Sequence, residues 1–234
     1  MALYLDIDLD YFVLPVIKES TSNRRPPDNL NCQIIDPGKL FNLLTQKGIT
    51  LGPQRYIFTN HMQSHLRWWI NGRRDNVILH IDAHSDLYGH NQQDLTNLKM
   101  LGCQNYLWHS VREGLVKEIY WVMPDNLMDI SNPQIVKKMF SSEQLGRVNF
   151  ADNILHVELI CSLPGAQQKV IPYHMLYAEN LPHFNETAEM VTIATSPEFY
   201  PRQADEIIKT VGKWLNFDQA KINKILQQHL EMEI

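Results

Sequence analysis

The run Asn76-Val77-Ile78-Leu79-His80-Ile81 constrains the fold of this chain more than any other stretch. It is short and nearly all apolar, which suits a strand buried on both faces of a parallel sheet. It ends directly in Asp82-Ala83-His84-Ser85-Asp86. If the chain stays extended there, Asp82, His84 and Asp86 project to one side. Two carboxylates and an imidazole then converge at the carboxyl end of a strand, a donor set suited to divalent metal ions. The plainer reading is a polar strand exit whose side chains cap nearby helices.

The opening segment carries a second acidic pattern. Leu3, Leu5, Ile7 and Leu9 alternate with Tyr4, Asp6, Asp8 and Asp10. Period 2 predicts a strand from Leu3 to Asp10, with successive carboxylates on one face about 6–7 Å apart. Buried in a central strand, those charges need a cation or hydrogen-bond donors. On an exposed edge they would simply be solvated and would guard against aggregation. Ile57-Phe58-Thr59-Asn60-His61 is a third short apolar run, ending in His61. Thr195-Ser196-Pro197-Glu198 follows a fourth run, Met190 to Thr195. Taken singly, His61 reads as a structural histidine, and Glu198 as a helix-start acid complementing a dipole.

Their shared placement makes the stronger case. Four apolar strands each carry a carboxylate or imidazole in or just after the strand. In an α/β sheet the carboxyl ends of the strands line one crevice. Four aspartates and two histidines gathered there hold too much negative charge to desolvate without metal ions. Mixed oxygen and imidazole donors favour manganese, iron or magnesium over thiolate-bound structural zinc.

The rest of the chain supplies the covering helices. Asp36-Pro37 opens a predicted helix that stops at Gly48. Further helices are predicted over His61–Ile70, Leu98–Arg112 and Pro201–Leu215, and after Asp218. Further strands are predicted over Glu118–Met123 and Ile154–Glu158. Strands alternating with helices predict a mostly parallel sheet covered on both faces. The stretches Val13–Ile35, Leu87–Thr96 and Pro124–Asn153 read as long loops. They are either a mouth around the crevice or plain surface insertions.

Composition narrows the class. At 234 residues, 44% of them hydrophobic, the chain fits one globular domain. A net charge of -5 is unlike a basic nucleic-acid binder. No apolar run reaches the roughly 20 residues of a membrane span. Cys32, Cys103 and Cys161 are odd in number and widely spaced, which fits a reducing compartment. A cytoplasmic protein is expected, without membrane or nucleic-acid partners. The sequence carries no signal for an oligomeric state.

Asp82-Ala83-His84-Ser85-Asp86 resembles the Asp-Ala-His-x-Asp motif of the arginase and agmatinase group. Leu5-Asp6-Ile7-Asp8 is similar to that group's Asp-x-Asp strand, and Asn60-His61 resembles its Asp-His metal site. The resemblance implies a three-layer α/β/α fold with a mostly parallel sheet and a binuclear manganese centre. Iron, magnesium and zinc rank behind manganese. It implies Asp6 and Asp82 as ligands bridging both ions, His61 and Asp86 completing one site, and His84 and Asp8 the other. Asp10 has no ligand counterpart. Glu198 resembles the glutamate that contacts the guanidinium.

The pattern departs from ordinary arginases in three ways. The Asp-x-Asp strand opens the chain instead of following the Asp82 motif, so the motif order is circularly permuted. The chain is shorter, and Asp10-Tyr11-Phe12 stands where Asp-Pro is usual. Tandem His-His of the deacetylase branch is absent.

The whole looks most similar to small atypical arginases that act on peptides, with residues 1–234 as a single catalytic domain. That likeness implies hydrolysis of peptidyl arginine to peptidyl ornithine and urea, by hydroxide bridging two metals, during maturation of ribosomally made precursor peptides. Asp86 would relay the proton and Glu198 would hold the guanidinium. His90 and His109 are candidate proton donors to the leaving amine. Three other classes stay open: a small-molecule ureohydrolase, a metal-dependent deacylase or amidohydrolase, and a non-catalytic peptide-binding module.

Overall fold

The computed structural model describes residues 1–20, 24–27, 31–89, 97–163, 165 and 167–232. In chain order its strands are β1 (Leu3–Asp8), β2 (Val13–Leu14), β3 (Gln33–Ile34), β4 (Ile49–Phe58), β5 (Asn76–Ile81), β6 (Val116–Met123), β7 (Leu145–Ala151), β8 (Ile154–Ser162), β9 (Gln168–Tyr177) and β10 (Glu186–Ala194). The main sheet is 8-stranded, in the order β4-β10-β1-β5-β6-β9-β8-β7. Neighbours from β4 across to β9 run parallel, while β8 and β7 are antiparallel. The chain is therefore α/β with a mostly parallel sheet.

Strand β1 lies between β10 and β5, and every residue from Leu3 to Asp8 is buried. Burial of Leu3, Leu5 and Ile7 contributes roughly 5–9 kcal/mol together. That is enough to draw Asp6 and Asp8 inside with them, where each carboxylate needs partners. The alternation sorts the two faces. Leu3, Leu5 and Ile7 pack in a cluster with residues of helices Pro37–Gln46, Glu206–Trp214 and Gln219–Glu231. Tyr4 packs in another with residues of helices Gln63–Asn71 and Tyr106–Arg112.

Helix ends follow sequence chemistry. Asp36 caps the helix Pro37–Gln46 by accepting from Gly38 N at 2.9 Å. Gly48 follows with φ +78°, and a Cβ there would lie 2.4 Å from Asn185 Oδ1. Asp218 caps the last helix through Lys221 N at 2.7 Å.

Several elements differ from the sequence reading. Strand β1 stops at Asp8, because the Asp8 side chain accepts from Asp10 N and starts a 3-10 turn over Leu9–Phe12. Asp10 therefore leaves the alternating face. Strand β4 is longer than its apolar run, and β7 and β9 are strands that the sequence pattern does not predict. Pro53 interrupts β4, which lies at the sheet edge where a missing donor is tolerated. Pro172 lies in β9 where the strand pairs with β8 but not yet with β6. Leu98–Arg112 divides into a 3-10 turn at Leu98–Met100 and a helix at Tyr106–Arg112. Val13–Ile35 contains the short β2–β3 pair, and Pro124–Asn153 contains β7 and a helix at Val136–Met139, so neither is a plain loop. Within Leu87–Thr96, residues 90–96 lie outside the described residues. Among the described residues no helix is long and apolar enough to cross a membrane.

Candidate metal centre

The carboxyl ends of β4, β10, β1 and β5 lie side by side. Phe58, Ala194 and Asp8 are in register, as are Ile7 and Ile81. The residues that follow these ends, His61, Ser196, Asp10 and Asp82, accordingly emerge on one edge of the sheet.

His61 is the hub of the cluster. Its Nδ1 lies 3.1 Å from Asp8 Oδ2, 3.0 Å from Asp82 Oδ2 and 3.0 Å from Asp86 Oδ2. All four side chains are buried. Neither His61 Nδ1 nor Asp82 Oδ2 has a hydrogen-bond partner, although both are shielded from water. A second convergence adjoins the first. His84 Nδ1 lies 2.8 Å from Asp10 Oδ2 and 3.7 Å from Asp82 Oδ1. Asp82 thus presents one oxygen to each group.

These groups fit a divalent ion. Adjacent ligands of an octahedral ion held at about 2.1 Å lie about 3.0 Å apart, close to the spacing around His61. Each histidine also has its far nitrogen engaged: His61 Nε2 lies 3.1 Å from Asp6 Oδ2, and His84 Nε2 lies 3.0 Å from the carbonyl of Ile17. That pattern fixes the tautomer that leaves Nδ1 free to bind metal. The buried Asp/His cluster can hold a metal ion.

Asp6 sits differently. Its Oδ1 accepts from Ser64 Oγ and Thr192 Oγ1, both at 2.6 Å. Its Oδ2 accepts from Tyr106 OH at 2.5 Å and faces His61 Nε2 and His80 Nδ1, each at 3.1 Å. Thr192 and His80 are its direct neighbours on β10 and β5. Asp6, His61 and His80 are near enough to one another to enclose an ion. The five protein partners nevertheless already use the lone pairs of Asp6, so its geometry is that of a carboxylate that orients His61. His80 takes part through this register, which no local sequence pattern signals. Its Nε2 also lies 3.2 Å from the His84 carbonyl and 3.5 Å from Asp82 Oδ2, so His80, Asp82 and Asp86 form a further group able to enclose an ion.

The electrostatics follow from crowding. Burial pushes the Asp86 carboxyl up to about 6, and the charge of Asp82 adds to the rise. Burial and the charges of Asp8 and Asp82 hold Asp10 well above the usual carboxylate range. For Asp6 and Asp82, burial acts in the same direction but is outweighed, by His61 and His80 for Asp6 and by His61 and His84 for Asp82. Both fall below that range. Burial alone would depress His61 and His84, yet Asp6 raises the one and Asp10 the other. A cation placed among these oxygens relieves the repulsion among Asp8, Asp10, Asp82 and Asp86.

The backbone at the site is strained at two residues. Asp86 has φ 48° and Ser196 has φ 34°, conformations that cost side-chain-bearing residues energy. Asp86 in this conformation aims at His61, and Ser196 donates its hydroxyl to Asp8. Trp121 Nε1 donates to the Asp82 carbonyl at 2.9 Å, and His84 N donates to Asp82 Oδ1 at 2.7 Å, fixing the strand exit.

A cleft of about 270 Å3 opens over this floor. Asp8, Asp10, His84 and Asp86 line its base, with Tyr88, Cys103 and Phe199 among its walls. Glu198 occupies the same 3-10 turn as Phe199. It is half-buried, and burial together with the charge of Asp8 raises its pKa. His109 is fully buried against the ring of His65 and does not line the cleft. His90 lies outside the described residues.

Comparison of the chain with protein-family models, with curated proteins and with solved structures finds no match to any of them.

Proposed function

We propose that this chain is a manganese-dependent hydrolase with an arginase-like three-layer α/β/α core. Its reaction would convert peptidyl arginine to peptidyl ornithine and urea in the maturation of a ribosomally made precursor peptide. The observation that carries the metal-dependent part is the meeting of Asp8, Asp82 and Asp86 oxygens at His61 Nδ1, 3.0–3.1 Å away, with no hydrogen bond to account for the orphaned nitrogen. The resemblance of the Asp82 motif to arginases supports the choice of guanidinium chemistry.

The geometry supports a ligand register shifted by two residues from the one that the resemblance implies. In this proposal Asp8, His61, Asp82 and Asp86 hold one ion. Asp10, His84 and Asp82 would hold the other. Asp6 orients His61 through its Nε2–H. Ions so held would supply hydroxide near neutral pH by lowering the pKa of water.

The remaining roles belong to the chain itself. Asp86, which lines the cleft, takes up and passes on a proton there. Glu198, once ionised, receives the guanidinium through paired charge-assisted hydrogen bonds. Tyr88 and Phe199 flank the cleft and exclude water from the side chain that enters it. A second cavity of about 390 Å3 shares Lys18, His84 and Tyr88 with the cleft. It offers room for the backbone of a peptide whose arginine points at the floor.

The test is a substrate comparison with manganese-loaded protein. Urea should be released from an arginine-containing peptide and far more slowly from free arginine. Release from free arginine alone would assign a small-molecule ureohydrolase. Turnover of acetyl-lysine alone would assign a deacylase, and metal binding with no product a binding module.

A further inference from the structure

Away from the cleft, the antiparallel end of the sheet carries a row of polar side chains on its outer face. Strand β8 alternates strictly: Leu155, Val157, Leu159 and Cys161 are buried, while His156, Glu158 and Ile160 are partly exposed. Strand β9 repeats the pattern at Tyr173, His174 and Met175. Register then aligns Asn149 of β7 with His156, His156 with His174, and His174 with Tyr120 of β6.

Within this row the two imidazoles face each other nitrogen to nitrogen. His156 Nδ1 lies 2.8 Å from His174 Nδ1. Two lone pairs at that distance repel unless a proton or a cation lies between them. The opposite nitrogen of His174 meets Glu118 Oε1 at 3.1 Å, and Tyr120 donates to the same oxygen at 3.0 Å. A histidine whose far N–H is held by a buttressed carboxylate is the usual arrangement of a metal-ligating imidazole. A cleft of about 260 Å3 reaches both rings, with Asn149 and Glu158 on its walls.

We infer that His156 and His174 form a second divalent-ion site, distinct from the Asp8/His61/Asp82 cluster, in which both Nδ1 atoms bind one square-planar or tetragonal ion, copper(II) or nickel(II). The 2.8 Å separation of the two nitrogens matches two adjacent ligands at right angles on a square-planar or tetragonal ion held at about 2.0 Å, and is too short for the tetrahedral geometry of zinc. Asn149, next to His156 across the ladder, offers a carbonyl oxygen, and the open cleft admits water to complete the shell. Such an ion ties β8 to β9 at the antiparallel end of the sheet. The inference does not depend on the reaction proposed above, since no residue is shared.

Copper(II) distinguishes the sites by the number of bound nitrogens. In the main cluster, His61 and His84 each stand alone among carboxylates, so copper there couples to one nitrogen. At the second site it couples to two. Copper titration of the wild-type protein, followed by electron paramagnetic resonance, should show a two-nitrogen species that excess nickel(II) displaces. His156→Gln and His174→Gln should each abolish it while leaving the one-nitrogen species. Glu118→Gln keeps both ligands and should weaken the site about 10–100-fold, the usual effect of losing such a partner. Absence of a two-nitrogen species in the wild type would overturn the inference. So would its persistence in the two histidine variants, or unchanged affinity in Glu118→Gln.

Discussion

Asp86→Asn separates the cost of assembling the metal cluster from its use. The Asp86 carboxyl titrates near 6 in the folded chain, against an ordinary value of 3.8. That is a rise of about 2 units, and at 1.36 kcal/mol per unit it amounts to ~3 kcal/mol. The sign follows from proton counting. Between about pH 4 and pH 6 the metal-free folded state binds more protons than the unfolded state. Stability therefore falls as pH rises through that window, and the full penalty is present above pH 6. Asparagine removes the charge, still offers an oxygen toward His61, and tolerates the positive φ of 48°. In EDTA at pH 8, Asp86→Asn should accordingly be more stable than the wild type by up to ~3 kcal/mol, with the gain vanishing near pH 4. With manganese the sign reverses, because the variant loses an anionic ligand. Urea denaturation at both pH values, with EDTA and with manganese, reads all of these effects. Loss of stability at pH 8 in EDTA, or an effect independent of pH, would refute the claim that charge crowding at this residue is what a metal relieves.

Other substitutions test neighbouring parts of the account. Asp6→Ala strands Ser64, Thr192, Tyr106 and two imidazoles, and should cost roughly 3–5 kcal/mol in EDTA, measured by urea denaturation. Asp10→Ala should halve the manganese content while keeping the ion at His61, which elemental analysis would show as one ion per chain. Asp82→Ala, which removes oxygens from both groups, should empty the site and abolish activity together. Glu198→Gln should lower kcat/KM roughly 10–150-fold at unchanged manganese content, the equivalent of one charge-assisted contact of about 1.5–3 kcal/mol.

The parts of this architecture that are legible in sequence are those written in local pattern. The apolar run Asn76–Ile81, its exit into Asp82-x-His84-x-Asp86, and the alternation from Leu3 each fix a strand and the residues at its end. Capping residues Asp36 and Asp218 place helix starts. What is not legible depends on register and on residues acting at a distance. Asp6 and Asp8 look equivalent in the alternation. Pairing with Thr192 and His80, together with Ser64, Tyr106 and His61 from other elements, surrounds Asp6 with donors, and the turn begun by Asp8 swings Asp10 toward His84. Pro53 and Pro172 hide two strands, because sequence does not say that one lies at an edge and the other beyond its second partner. His156 and His174 are 18 residues apart and are joined by a ladder that neither announces.

The central claim is that this cluster hydrolyses peptidyl arginine. An arginine-containing precursor peptide incubated with the manganese-loaded protein and analysed by mass spectrometry tests it most directly. Metal-generated hydroxide acting on the guanidinium predicts a loss of about 42 Da at the modified arginine, with an equal amount of urea, and no loss with EDTA or with Asp82→Ala. An unchanged peptide mass across arginine peptides, with manganese bound in full, would contradict it.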